Sequence, residues 1–317
     1  MISQPAPGDA GLSAAQAHVD RVVGGPPRRV FSPRRAAVDE VRLYAISTPA
    51  AWLVVTLGLA DLGFELTLRL PRPDPGDGEE ELPTWAVDCL LSLGAYCRHS
   101  RHGFSDGDQI DLRGPMKLDT DTAITAAVVA QDPLLKKLGQ VEFLRVVGVT
   151  ADELELCRSW QTSAVIALLR RLDPLLTTAL DRAPLFDDPA MRAAAEAGVA
   201  AEGSSLDSLR VGSLDWRWRG RGSRRVLVVT LGSGAATALG PALRRKLSHA
   251  GASFAVVGDP GELRFSVAAA DGWRMDDDGV VISLAPASLD AVADLFDGKT
   301  GTGSLPSLAG LRFAVIP

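Results

Sequence analysis

Residues 226–239, VLVVTLGSGAATAL, place Gly-x-Gly directly after an apolar run, which is how a phosphate-binding turn begins. Dinucleotide chemistry needs a strand and then G-x-G-x-x-G, so that N–H groups at a helix N-terminus can approach a pyrophosphate. Gly232 and Gly234 supply two glycines, but the third place is Thr237 and the next glycine is Gly240. No acidic residue follows a second parallel strand at the distance a ribose requires, so a strand ending in a glycine turn accounts for the residues. Asp297-Gly298-Lys299-Thr300 ends like a P-loop. Its leading glycine position is Ala293, inside the helical pattern SLDAVADLF, and a cradle of amides cannot form there.

Other reactive residue types also fall short of a site. His99 and His102 stand three apart near a helix end, a spacing that metals use, but their local third ligands are only Asp106 or Asp108. No metal is expected. Asp276-Asp277-Asp278-Gly279 lacks the alternating ligands of a calcium loop and reads as a hairpin turn. Ser204, Ser205 and Ser233 lie in no G-x-S-x-G elbow, and His18, His99, His102 and His249 pair with no nucleophile by any motif. Cys89, Cys97 and Cys157 include no C-x-x-C pair and read as reduced thiols packed in helices. The residues assemble no active site, and neither catalysis nor a cofactor is expected.

The stretch WRWRGRGSRR, Trp216 to Arg225, interleaves indoles and guanidiniums as a single-stranded nucleic-acid platform would. The same alternation with an R-G-x-G turn makes a hairpin, tryptophans inward and arginines to solvent. The 317-residue chain carries a net charge of −6, so an acidic protein partner suits that ribbon better than nucleic acid. Two other classes stay open on the residues alone. One is a nucleotide-binding enzyme or regulator using the Gly232/Gly234 turn; the other is a DNA-contacting regulator using the Trp216–Arg225 ribbon.

The elements that must position these groups follow from periodicity. The chain exceeds one ordinary core, so two lobes are expected. Its apolar fraction of 46% and charged fraction of 23% are those of a soluble globular protein. The first residues lack a signal peptide's basic start and apolar core, and no apolar run reaches the roughly 20 residues that span a bilayer. A cytoplasmic location is expected.

Residues 1–36, rich in Pro, Gly, Ala and Arg, read as a mobile segment. A first lobe over 37–186 holds a strand at 52–59 and the alternating GFELTLRL at 63–70, with Phe64, Leu66, Leu68 and Leu70 on one face and Glu65, Thr67 and Arg69 on a solvent face. A helix from Pro83, short strands near 108–112, 122–130 and 142–149, and one long helix from the Thr150/Glu153 capping box to Pro174 complete it. The Ala-rich stretch 187–205 reads as a linker. A second lobe over 206–317 alternates strands such as LDWRW, VLVVTL, SFAVVG and LRFAVI with helices near 241–249 and 287–297. Strands outnumber helices without regular β–α alternation, which predicts an α+β protein with mixed and antiparallel sheets.

The first lobe resembles the suppressor-of-fused domain family. The series Gly58-Leu59-Ala60-Asp61-Leu62, GFELTLRL, Pro83-x-Trp85, Ala95-Tyr96, Phe104-Ser105-x-Gly107-Asp108, Asp132-Pro133 and Phe143 to Leu154 carries the likeness, in order, over roughly residues 40–185. The resemblance implies a two-lobed, non-enzymatic protein that holds a polypeptide segment in the cleft between its lobes, partly by strand addition. It implies that Tyr96 and Asp108 face that segment, and Phe104 is taken as a further candidate contact. Bacterial members are proposed as immunity or antitoxin proteins, so the partner expected is a toxin or regulatory polypeptide.

Overall fold

The stretch GFELTLRL becomes a central strand of a large sheet in the computed structural model, which describes residues 7–33, 37–73, 81–101, 103–249 and 251–317. The described residues divide into two compact units. The first runs to Cys157 and resumes over Thr162–Ala193; the second comprises Arg158–Gln161 and Ala194–Pro317.

In the first unit, helix α1 (Pro7–Val23) precedes strands β1 (Arg29–Phe31), β2 (Glu40–Ser47), β3 (Ala50–Leu57) and β4 (Phe64–Pro71). Helix α2 (Thr84–Ser100) follows, then β5 (Gln109–Asp111), β6 (Ile124–Gln131), β7 (Lys137–Leu138) and β8 (Val141–Thr150). The sheet order is β1-β2-β3-β4-β8-β6-β5, with β7 paired to β8. β4 and β8 run parallel and their neighbours antiparallel. Strand β5 therefore ends the sheet.

α2 lays Ala86, Leu90, Leu93 and Cys97 on the face that carries Val54, Leu66 and Leu68. The opposite face packs Leu53, Val55 and Phe143 against Ala15 and Val19 of α1. The reading of residues 1–36 as mobile is thus corrected over 7–33. Val19 is fully buried, the Tyr44 hydroxyl donates to Asp20 at 2.8 Å, and His18 Nε2 meets the Leu135 carbonyl at 3.0 Å. Flanking prolines and glycines hid a helical stripe whose stability comes from this tertiary contact.

Because both faces are covered, the solvent face expected for β4 does not exist. Glu65, Thr67 and Arg69 are as buried as Leu66 and Leu68. Polar residues alternate here because they pair with one another and with backbone, which alternation alone cannot distinguish from exposure. Thr67 donates to Asp132 Oδ2 at 2.6 Å, Arg145 Nη2 donates to the same oxygen at 2.5 Å, and Arg69 Nη2 donates to the Pro49 carbonyl at 2.9 Å.

The capping box stands as read: Thr150 N–H donates to Glu153 Oε2 at 2.9 Å and Glu153 N–H to Thr150 Oγ1 at 3.3 Å. The single long helix divides into α3 (Ala151–Ser159) and α4 (Thr162–Leu172), with Trp160 buried in the break and donating to Glu202 at 2.8 Å. The stretch read as a linker contains a helix, α5 (Pro189–Glu202). Asp188 Oδ1 receives the N–H groups of Ala190 and Met191, and alanines favour the helix that follows.

The second unit holds β9 (Ser208–Arg210), β10 (Leu214–Arg219), β11 (Val226–Gly232), helix α6 (Ser233–Leu247), β12 (Ser253–Val257) and β13 (Glu262–Val267). It continues with β14 (Gly272–Met275), β15 (Gly279–Leu284), helix α7 (Leu289–Asp294), β16 (Gly301–Gly303) and β17 (Leu311–Ile316). Two mixed sheets form, β10-β11-β17-β16 and β14-β15-β13-β12-β9. Phe296 sits in their shared core with its ring edge-on to Phe265 at 6.3 Å and to Phe313 at 5.1 Å. Helix α6 starts at Ser233, eight residues before the expected position, and accommodates Pro241. Gly240 lets α7 approach: a Cβ there would lie 2.7 Å from the Ala293 carbonyl oxygen. The α+β class with mixed sheets and flanking helices holds in both units.

Candidate functional site

The C-terminal turn of α2 presents Tyr96 to solvent, 57% exposed, next to buried Cys97. The chain then leaves the helix at Arg101 in the left-handed region, φ 58°, and brings Phe104 back over the helix end. The rings of Tyr96 and Phe104 stack at 6.0 Å and 24°, and Phe104 meets the edge of buried Phe64 at 6.3 Å. An exposed phenol is thereby fixed on an aromatic ladder that reaches the core.

A tight turn follows. Ser105 N–H donates to Asp108 Oδ2 at 2.8 Å, Asp108 N–H donates to the Ser105 carbonyl at 3.1 Å, and Gly107 supplies the positive φ of 96°. Gly107 N–H donates to the Val129 carbonyl and Val129 N–H to the Asp108 carbonyl, both at 2.8 Å, so the turn is clamped onto β6. Asp108 then leads directly into β5 at the end of the sheet. Burial, with the Asp108 carboxylate adding to it, pushes the Cys97 thiol up to about 11, so that thiol is inert. Burial alone does the same for Cys89.

Arg98 escaped the sequence reading. Its guanidinium holds both carboxylate oxygens of Asp61 and the carbonyls of Gly58 (2.6 Å) and Ala37 (3.2 Å). The Asp61 carboxyl is held below its usual range by that hydrogen-bonded guanidinium. The arginine pins the last turn of α2 to the loop before β4 and so fixes where Tyr96 stands. Partners 37 residues apart leave no local signal.

The other candidate groups are placed differently. His99 is exposed at the end of α2, and His102 lies outside the described residues. The 276–279 stretch is the expected hairpin turn, with Asp276 Oδ1 accepting from Asp278 and Gly279. Ser248 Oγ lies 3.0 Å from His249 Nδ1 and 3.1 Å from the Arg245 carbonyl oxygen. Strand β11 does run straight into α6 at Gly232. Thr237, where a dinucleotide turn has its third glycine, donates to the Ser233 carbonyl and is closely approached by Gly298. Of the two ribbon tryptophans, Trp216 packs on the core, while Trp218 stays 43% exposed. No helix among the described residues is long and apolar enough to cross a membrane.

Residues 39–183 match the sequence profile of the Suppressor of fused protein (SUFU) family. The matched stretch is a little under half of the chain. Tyr96, Arg98, Phe104 and Asp108 all lie within it. The curated Suppressor of fused homologs of human and mouse are each 28% identical over 206 aligned residues, covering 54% of this chain and 42% of theirs. The chain thus spans about two fifths of the length of those relatives. A crystal structure of Drosophila Suppressor of Fused matches with a TM-score of 0.69 at 18% identity, over 96% of each chain, which extends the likeness of fold beyond residues 39–183. The structure of the Sufu–Fu complex matches with a TM-score of 0.52 at 25% identity, over 57% of this chain and 95% of that one.

Chemically, this surface offers an apolar ring with a hydroxyl tip, a carboxylate with one oxygen committed to Ser105, and the backbone groups of an end strand.

Proposed function

We propose that the chain is a non-enzymatic binding protein that takes an extended segment of a polypeptide partner beside β5. Tyr96 and Phe104 would pack on the segment's side chains, Asp108 would accept its donors, and the strand edge would pair with its backbone. The observation that carries this reading is the exposed Tyr96 ring, stacked on Phe104 and followed by a clamped turn that delivers Asp108 to the end of the sheet. The match to a chain of the Sufu–Fu complex supports a protein ligand. Sequestration of the partner with its working surface covered, and neutralisation of a toxin as an immunity or antitoxin protein, are the finer forms of this proposal.

The test is affinity capture from the source cells, with tagged wild-type and Tyr96→Ala/Asp108→Arg baits compared by mass spectrometry. One protein enriched by the wild type and lost with the variant supports the reading and names the partner. Equal enrichment, or none, removes it. In parallel, NAD, NADP, ATP and GTP are expected to leave the melting temperature unchanged, whereas a true ligand at a hundredfold its Kd would add about 2.7 kcal/mol.

A further inference from the structure

The second unit carries a surface that the proposed partner site does not use. In the sheet β10-β11-β17-β16, Leu227, Val229, Leu231, Phe313 and Val315 face the core, so the alternate residues form the opposite face. Strand register places Arg217 of β10, Val228 of β11 and Arg312 of β17 in one cross-strand row. Arg219 lies beside Val226 in a neighbouring row, and Ile316 extends the face along β17. Val226 and Val228 are half-buried in the strand between them; Arg217, Arg219 and Arg312 are exposed, and Ile316 is 42% exposed. Arg217 engages Asp215 through its Nε at 2.7 Å. Among the described residues, neither Arg219 nor Arg312 is in an ion pair.

Adjacent strands are spaced about 4.8 Å apart, so Arg217 and Arg312 flank Val228 across roughly 10 Å. An acidic side chain lying over that valine is within reach of both guanidiniums, and an apolar side chain in the next row meets Val226; Ile316 lies two rows the other way, beyond the row of Asp215, Thr230 and Ala314. We infer that this face docks an acidic polypeptide segment in which carboxylates alternate with aliphatic side chains.

Charge alone would admit nucleic acid as well, but the chemistry of the face separates the two. Single strands are held by bases stacked on aromatic platforms, and this face offers valines and an isoleucine. The tryptophans of the neighbouring hairpin lie on the opposite side of β10. Trp218 there is covered by Arg225 at 4.5 Å and leans on Trp273 at 6.0 Å.

The experiment is fluorescence anisotropy on the full chain with a short labelled peptide of alternating glutamate and leucine. The comparison probes are a glutamate–serine peptide, a lysine–leucine peptide and a thymidine oligonucleotide. The glutamate–leucine peptide should bind tightest, and its affinity should fall as salt screens exposed charges. Arg217→Glu/Arg312→Glu should weaken it at least about tenfold, as expected for loss of two charge-assisted contacts. If the double variant does not fold by circular dichroism, Arg312→Gln should still weaken binding, because an exposed side chain on that face is dispensable to the fold. Tyr96→Ala and Asp108→Arg should leave this binding unchanged, which separates the surface from the partner site above. Binding that ignores the arginine variants, no binding of the glutamate–leucine peptide, or tighter binding of the oligonucleotide would each overturn the inference.

Discussion

The ring of Phe104 lies between that of Tyr96, 6.0 Å away and stacked, and that of Phe64, 6.3 Å away and edge-on. Tyr96 is mostly exposed and Phe64 almost wholly buried, so Phe104 couples the proposed recognition group to the core. Substitutions at Tyr96 and at Phe104 should therefore separate partner binding from stability. Tyr96→Ala should abolish capture of the partner and move the unfolding midpoint by less than about 0.5 kcal/mol, as for an exposed side chain. Phe104→Ala should weaken capture too, but with a loss of about 1–3 kcal/mol from half-buried aromatic packing. Urea unfolding of both variants alongside affinity capture checks the split. A stability loss for Tyr96→Ala as large as for Phe104→Ala would make the pair structural.

Asp108 accepts from Ser105 N–H and is also the carboxylate proposed to face the partner, so charge reversal there tests two things at once. Asp108→Asn resolves them. Its side-chain oxygen still accepts from Ser105, so stability should stay within about 0.5 kcal/mol of wild type. Loss of the negative charge should weaken capture if the partner presents a cation or a charged donor. Calorimetry of the variant and capture in the same buffer give the two readouts. Unchanged capture would assign Asp108 to the turn alone.

The residues of the proposed site stand in short motifs close along the chain, which is why Tyr96, Phe104 and Asp108 could be singled out from residue types in order. What joins them could not be. Arg98 reaches Asp61 and Gly58 across the sequence, and Phe64 meets Phe104 from the strand before α2. The fold shows the same division. The capping box at Thr150 and Glu153 is a local rule and was read correctly, whereas α1 is held by Tyr44 and Leu135, residues far along the chain. Strand β4 misled for a physical reason: alternation reports polarity, and Glu65, Thr67 and Arg69 are polar yet buried against partners from other strands and loops.

Arg145 and Asp132 make the strongest of those buried contacts. Neither side chain reaches solvent, and Asp132 also accepts from Thr67 and from the N–H groups of Leu134 and Leu135, both at 2.8 Å. Burial opposes the Asp132 charge, but the Arg145 guanidinium and these donors outweigh it and hold the carboxyl below its usual range. Removing one partner leaves the other as an uncompensated buried charge. Asp132→Asn should therefore cost on the order of 3 kcal/mol, toward the lower end of what breaking a buried pair costs. The urea midpoint should drop without a change in slope. A loss below about 1 kcal/mol would show that Arg145 finds another acceptor, beyond the Leu175 carbonyl it already holds at 2.9 Å.

Glu65 is the carboxylate whose charge the fold resists. Burial pushes it up to about 7 from its ordinary 4.5, although Gly58 and Leu59 N–H and the Thr56 hydroxyl all donate to it. Between those two values the native state holds a proton that the unfolded chain has released, so stability falls as pH rises through that window. The whole effect is about 3 kcal/mol, from a shift of roughly 2.5 pKa units. Asp132 and Glu153, both held low, act in the other sense: their contribution is present above the ordinary carboxylate range and is lost as pH falls through their folded values. Glu65→Gln keeps an acceptor for the two N–H groups and carries no charge. Its stability relative to wild type should therefore rise between about pH 4.5 and 7 and stay level above about pH 8. Urea midpoints of both proteins across that range measure the difference directly. A difference that stays constant would mean that the three donors keep the carboxylate ionised throughout, and that hydrogen bonding outweighs burial at this position.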